Sequence, residues 1–500
     1  MSASRIPVAG LLGARLTPST SPTVRLRVLS QSTRRPALLL RPILGVSRHP
    51  AAARGLIRRY LSSQTESQPN RKSISHGKRV PRHPYAVRVT NAGVFLRTEA
   101  KERIISPLWL RDSCACPQCV DPDSGQKNFS TTDLPTRLPI SRAELSDDGA
   151  LVIEWENDIM AGGVSTHTSR FSAKQVATWH AGEKAGSKLR LPPTFWNRAK
   201  YESMIDKCRV SYADWLNDDD AFDAAFEKLA ETGLIFVRDV PQSEAEVERI
   251  ANRIGMLQHT FYGSTWDVRS KPRAENVAYT SKFLGLHQDL MYHDPVPKLQ
   301  LLHCLENSCD GGESLFSDGI RAAYDLKLNQ PKHYRALSEL EVRFHYKKGE
   351  HDYSAPRNTI HEINGMVFRT NWAPPFQAPF KMQCVPHAAP PGFRYNLDDW
   401  REAAVHFQLG IEAPENVLEV KLQPGECVIF DNTRVLHGRR QFATTKGQRW
   451  LKGTYVSLQV YQAAEKRLKE KKYSSHAGQD FWLQAVRDVN QVKELSEGAR

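Results

Sequence analysis

His287 and Asp289 stand two positions apart in Leu286-His287-Gln288-Asp289, and His437 follows 150 positions downstream. On a strand, side chains at i and i+2 share one face, so a strand here aims both groups at one point. His437 must then arrive from a distant strand, an arrangement that a double-stranded β-helix provides. Two imidazoles and one carboxylate with the remaining positions open form the facial triad suited to non-haem Fe(II) and oxygen. Arg449, twelve positions after His437, is a candidate anchor for an acidic co-substrate, with Arg439 and Arg440 as rivals by charge. The His-x-Asp pair alone is weak, because the chain holds 17 histidines. His293, His303, His345, His351 and His361 lie in the same region, and spacing does not exclude them.

Five hundred residues with 40% apolar content suit a globular protein of about two to four domains. No run approaches the roughly 20 apolar residues of a membrane span. The net charge of +14 is local. Residues 1–65 carry eleven arginines and no Lys, Asp or Glu, and the first acid is Glu66. Outside that segment 58 basic residues face 55 acidic ones, so nucleic-acid binding has little support. An Arg- and Ser-rich stretch without acids has the composition of a mitochondrial transit peptide, with a disordered basic tail as the alternative. Arg58-Arg59-Tyr60-Leu61-Ser62-Ser63 lies near the expected cleavage site, and the expected location is the mitochondrial matrix.

A polar linker (66–82) precedes a strand-rich segment with alternating apolar residues at Tyr85–Val89 and Gly93–Leu96, and a further strand at Leu151–Trp155. Phe171 to Gly182 reads as helical. The pattern breaks near Leu191-Pro192-Pro193, which sets a boundary around 185–200 between an N-terminal domain (83–190) and a larger unit (195–465). In the larger unit Asp218 to Asp220 suit an N-cap for a helix through Glu231 that Gly233 ends. Ser243 and Glu246 have capping-box spacing for a helix closing at Gly255. Beyond 275 come short apolar runs (277–280, 299–305, 342–346, 366–370, 417–422, 427–430 and 450–458), and Pro424-Gly425-Glu426 reads as a turn into one of them. Many short strands favour a jelly-roll or barrel, mainly β with flanking helices. Residues 466–500 are charged and read as a surface helix or tail.

Cys114, Cys116 and Cys119 bring three soft ligands within six residues. A fourth ligand would complete a closed, tetrahedral and therefore structural zinc site. The remaining cysteines are scattered, unlike a disulfide framework, and suit a reducing compartment.

Several motifs occur in one order: Trp109-Leu110-Arg111-Asp112-Ser113-Cys114, Thr260-Phe261-Tyr262-Gly263, Asn276-Val277-Ala278-Tyr279-Thr280, His287-Gln288-Asp289, and Phe430-Asp431-Asn432-Thr433-Arg434-Val435-Leu436-His437-Gly438-Arg439-Arg440. The series resembles the gamma-butyrobetaine dioxygenase family, within the wider taurine-dioxygenase-like clan, over about residues 85–460. The resemblance implies a jelly-roll (double-stranded β-helix) catalytic domain and a small zinc-binding N-terminal β-rich domain. It implies Fe(II) at His287, Asp289 and His437, and 2-oxoglutarate gripped by Arg449 and helped by Asn276. It also implies oxidative decarboxylation to succinate and CO2 coupled to hydroxylation of an unactivated carbon, with ascorbate a candidate reductant. His167 matches the fourth zinc ligand, with His180 as the fallback. Tyr262, Trp266, Tyr279 and Tyr455 fall on positions resembling an aromatic cage for a trimethylammonium group, which ring faces hold by cation–π attraction.

The resemblance is incomplete at the substrate's acidic end. Leu290 stands where butyrobetaine enzymes carry a tyrosine, and Asn371 is the remaining candidate for that role. Gamma-butyrobetaine is the first expected substrate and trimethyllysine its competitor, with a sulfonate dioxygenase of the same clan behind them. A different class of function, an inert zinc-binding interaction protein, is opposed by the intact triad and Arg449. A homodimer is the expected assembly.

Overall fold

The computed structural model describes residues 85–90, 93–98, 101–158, 167–181, 193–269, 280–363, 365–380, 395–443, 445, 447–473 and 491. The expected leader and linker, Asn276, Tyr279 and nearly all of the tail beyond 473 lie outside these residues. Pro81–Arg500 forms one compact unit. No helix among the described residues is long and apolar enough to cross a membrane.

Two small antiparallel sheets open the unit. The first holds β1 (Ala86–Thr90), β2 (Gly93–Arg97) and β3 (Glu102–Ile105), the second β4 (Ile140–Leu145), β5 (Leu151–Trp155) and β6 (His167–Phe171). Between them lie helix α1 (Pro107–Asp112) and the cysteine loop. His167, Ser169 and Phe171 are buried while their neighbours are exposed, the period-2 pattern of a strand with one face on a core. The helix expected from Phe171 therefore starts later, as α2 (Ala173–Ala181). Val94, Leu96, Leu110, Leu151, Ile153, Trp155, Phe171 and Val176 make up the local core.

The remaining strands are β7 (Arg209–Ser211), β8 (Leu234–Arg238), β9 (Thr265–Arg269), β10 (Leu284–His287), β11 (Leu299–Asn307), β12 (Ser314–Asp318), β13 (Glu341–Lys348), β14 (His351–Asn358), β15 (Ile360–Ile363), β16 (Met366–Thr370), β17 (Leu418–Val420), β18 (Cys427–Asp431), β19 (Val435–Arg439) and β20 (Arg449–Val456). Among the described residues they build a six-stranded sheet in the order β7-β8-β18-β11-β20-β9 and a four-stranded sheet in the order β10-β19-β12-β17. β13 with β14, and β15 with β16, form two hairpins. Strands far apart in sequence are neighbours in both larger sheets, and residues from both sheets line one cavity.

Helices cover the sheets through apolar faces. α3 (Asp219–Thr232) is capped by the Asp218 carboxylate, which accepts from the backbone of Asp220 and Ala221, and ends at Gly233 with φ 76°. The next helix, α4 (Glu246–Ile254), starts without the expected capping box. Glu246 instead turns inward, where it accepts from the Tyr212 hydroxyl and lies near Arg249. α5 (Gly319–Asn329), α6 (Pro331–Glu339), α7 (Leu397–Glu412) and α8 (Leu458–Tyr473) follow. One core packs Phe226, Ile250 and Tyr461 against Ile235, Leu301 and Val428 of the six-stranded sheet. The other packs Tyr324, Leu337, Trp400 and Phe407 against Leu315, Leu436 and Trp372. Each such large side chain taken from water contributes about 1.5–3 kcal/mol.

Candidate active site

β10 and β19 pair antiparallel with His287 directly opposite His437, and the two rings lie 4.2 Å apart. Asp289 completes the set, but not as an i+2 strand neighbour. β10 ends at His287, and Asp289 occupies a turn in which Leu290 has φ 59°. A positive φ at a non-glycine residue is uncommon, and here the surroundings enforce it. The Gln288 backbone donates to the Trp372 carbonyl (2.7 Å), and the Gln288 side-chain oxygen accepts from the Trp372 backbone (3.0 Å). Asn432 holds the other side. Its oxygen accepts from the Asp289 backbone (2.8 Å), and its amide donates to the carbonyls of Asp289 (3.0 Å) and Pro297 (3.2 Å).

The orientations suit a metal ion. His287 Nδ1 donates to the Gly285 carbonyl (2.8 Å), which turns Nε2 toward Asp289 Oδ1 at 3.3 Å. His437 Nε2 lies 4.0 Å from the same oxygen. The three donor atoms fall within 4.8 Å of one another. Burial favours the protonated Asp289 carboxyl, but contact with His287 and the Tyr455 hydroxyl, with the His437 imidazole close by, outweighs it and holds the carboxyl well below its ordinary range. Burial and the neighbouring His287 push His437 down to about 3. A neutral imidazole and an anionic carboxylate are the states a metal ligand requires.

The cavity holding these groups is lined by Arg449, Arg439, Gln300 and Ser314, and by the rings of Tyr262, Trp266, Tyr292, Phe376 and Tyr455. Arg449 Nε donates to the Gly312 carbonyl (3.3 Å). Burial lowers Arg449 to about 10, and burial with the charge of Arg449 lowers Arg439 to about 9, so both stay charged at neutral pH. Arg439 also donates to the carbonyls of Thr280 (2.6 Å) and Lys282 (2.9 Å). Arg440, the third rival, points to the surface and pairs with Glu419. A buried guanidinium that keeps a planar donor edge toward a cavity suits a carboxylate.

Trp266 and Tyr455 stack on each other, with centroids 3.9 Å apart and planes 23° from parallel. They form one wall of the cavity, not two opposing faces of a cage. Gly453 makes this packing possible, since a Cβ there would lie 2.6 Å from the Trp266 ring. Tyr292, itself a lining residue, packs on Tyr346 and on the lining ring of Phe376. Asn371 is buried, donates to the Asn358 carbonyl (2.7 Å) and is not among the residues lining the cavity. Leu290 does line it. The rival histidines serve elsewhere: His293 and His351 pack on Phe261, His361 on Phe368, and His303 is buried among the strands. His345 faces outward on β13.

Sequence reasoning missed Tyr292, Phe376, Gln300 and Ser314 as cavity residues. Gln300 left a faint signal as a lone polar group opening an apolar strand; Phe376 left none, because a loop between distant elements delivers it.

The cysteine cluster closes as expected. Cys114 and Cys119 Sγ each lie 3.4 Å from His167 Nε2, and Cys116 Sγ lies 3.9 Å away. Three thiols and an imidazole converging on one point are the donor set of a structural zinc site. Behind them Arg111 directs one nitrogen to Cys119 Sγ (3.4 Å) and its others to Asp158. Its burial alone would lower Arg111, yet Asp158 and Cys119 raise it above the ordinary value. His180 lies apart, against the Lys101 carbonyl and the Tyr85 ring.

The taurine catabolism dioxygenase TauD, TfdA family matches residues 192–455. The chain is 34% identical over 365 residues to dioxygenase str8 of Strobilurus tenacellus, covering 70% of this chain and 81% of the relative. It is 30% identical over 354 residues to gamma-butyrobetaine dioxygenase of Pseudomonas sp. (strain AK-1), covering 70% and 86%. It is 26% identical over 473 residues to trimethyllysine dioxygenase of Neurospora crassa, covering 84% and 93%. With these relatives and the His-Asp-His triad in a shared cavity, the chain belongs to the TauD, TfdA family and is a non-haem iron dioxygenase.

Proposed function

We propose that the protein hydroxylates a small trimethylammonium compound, first of all gamma-butyrobetaine to carnitine, using 2-oxoglutarate and O2. The observation that carries this reading is one cavity holding the triad, the buried Arg449 and an aromatic wall of Trp266 and Tyr455. Bound Fe(II) supplies oxygen activation coupled to decarboxylation of 2-oxoglutarate to succinate and CO2. His287, Asp289 and His437 hold the metal. Arg449 takes the distal carboxylate of the co-substrate, with Asn276 assigned by resemblance to the end near the metal. Trp266, Tyr262 and Tyr455, with Tyr279 by resemblance, attract a cation that lacks N–H donors, each ring giving about 0.5–2 kcal/mol. Buried walls keep water from the reacting carbon.

The same reading takes the six- and four-stranded sheets as the two halves of a double-stranded β-helix. It takes 83–190 as a separate zinc-binding domain, 195–465 as the catalytic domain, the mitochondrial matrix as the location and a homodimer as the assembly. Leu290 favours trimethyllysine as a second reading, since it supplies no hydroxyl for a butyrobetaine carboxylate. The test incubates full-length protein with Fe(II), ascorbate, 2-oxoglutarate and either compound, and measures succinate and hydroxylated product together. Equimolar succinate and hydroxybutyrobetaine are expected. Coupled turnover of trimethyllysine alone selects the second reading. Succinate without hydroxylation of either compound defeats both, and no turnover at all returns the inert zinc protein.

A further inference from the structure

A third convergence of metal-binding side chains lies outside both centres. His333 stands on α6, and Glu402 and His406 stand on α7. None of them lines the active-site cavity or belongs to the cysteine cluster. Their donor atoms all lie within 4.8 Å of one another. Glu402 and His406 are four residues apart, hence on the same helical face. His333 comes across from the neighbouring helix, its Nε2 3.6 Å from Glu402 Oε1. The two imidazoles stack with centroids 4.4 Å apart and planes 21° from parallel.

The His333 ring is also prepared for a metal. Its Nδ1 donates to the Gln330 side-chain oxygen (2.7 Å), which leaves the Nε2 lone pair aimed at Glu402. A ligating histidine characteristically spends its other nitrogen in this way. We propose that His333, Glu402 and His406 form a third metal site, for a borderline divalent ion such as Zn2+, that ties α6 to α7. Two imidazoles with one carboxylate suit that class of ion. Three protein ligands at a half-exposed position leave room for water on the ion.

Position gives the site a consequence. Phe407, next to His406, packs edge-on against Trp372 at 5.3 Å. The Trp372 backbone in turn holds Gln288, the residue between His287 and Asp289. An ion joining α6 and α7 would therefore brace the active-site turn from behind.

The test dialyses metal-free full-length protein, His406→Ala and Glu402→Gln against Zn2+ and counts bound zinc per chain. The wild type is expected to hold one equivalent more than either variant, and zinc to raise its melting temperature further than theirs. Equal zinc in all three proteins overturns the site. Should His406→Ala fail to fold, Glu402→Gln decides alone, because that side chain is largely solvent-exposed.

Discussion

The Tyr455 hydroxyl donates to Asp289 Oδ2 at 2.8 Å, the carboxylate oxygen turned away from the two imidazoles. One carboxylate thus divides its oxygens, one toward the histidines and one toward a ring of the cavity wall. Tyr455→Phe removes the bond and keeps the stack on Trp266. A partner that orients a metal ligand is typically worth a factor of about 10–100 in metal affinity. Anaerobic Fe(II) titration is expected to show weakening in that range, with the melting temperature of the metal-free protein nearly unchanged.

Gly453→Ala tests the wall itself. The new methyl would meet the Trp266 ring at 2.6 Å, and β20 is tied on both sides by β11 and β9, so the ring has to move. Overpacking of this kind costs about 1–3 kcal/mol. The melting temperature should fall, and KM for the trimethylammonium substrate should rise more than KM for 2-oxoglutarate.

Arg449 and Arg440 separate by burial. Arg449→Gln leaves a co-substrate carboxylate without its charged donor in a buried site, a loss of about 3 kcal/mol or roughly a hundredfold in KM for 2-oxoglutarate. Arg440→Gln breaks a surface pair with Glu419 and should leave KM within about twofold. Steady-state succinate formation reads both.

His167 and His180 should behave oppositely. His167→Gln removes a donor from the thiol cluster, and elemental analysis is expected to show zinc lost from that site together with a lower melting temperature. His180→Gln should leave the zinc content intact.

His303 provides a pH test away from every ligand. It is fully buried, neither ring nitrogen has a hydrogen-bond partner among the described residues, and burial lowers it from 6.5 to about 4 despite the opposing charge of Glu246. Between those values the unfolded chain binds a proton that the folded chain refuses. Stability therefore declines as pH falls from about 6.5 to about 4, and this group adds no slope above 6.5. His303→Leu should flatten that part of the curve of melting temperature against pH.

How far the site could be read from the chain depended on how each residue is delivered. His287 and His437 were legible because each lies in a short motif, and Arg449 through its place twelve positions after His437 and the family resemblance, since charge alone did not separate it from Arg439 and Arg440. Asp289 was legible as a candidate ligand but not in its geometry, since a turn with a positive φ at Leu290 carries it, and nothing in Gln288-Asp289-Leu290 announces that turn. Ser243 and Glu246 had the spacing of a cap, and Tyr212 from a distant helix took the carboxylate instead. Trp266 and Tyr455 were identifiable as cavity rings, while their mutual stacking depends on the missing side chain of Gly453 across the sheet.

By itself the sequence determined the kinds of donor: two imidazoles with a carboxylate, three thiols in a loop, and a guanidinium on a strand. Residue chemistry and local spacing are enough for that. The tertiary structure alone decided which oxygen of Asp289 faces the histidines, that Arg449 and Arg439 line the cavity while Arg440 faces outward, and that His333 meets Glu402 and His406. These outcomes depend on contacts between strands and helices far apart in the chain, where a shift of a few ångströms changes which groups touch.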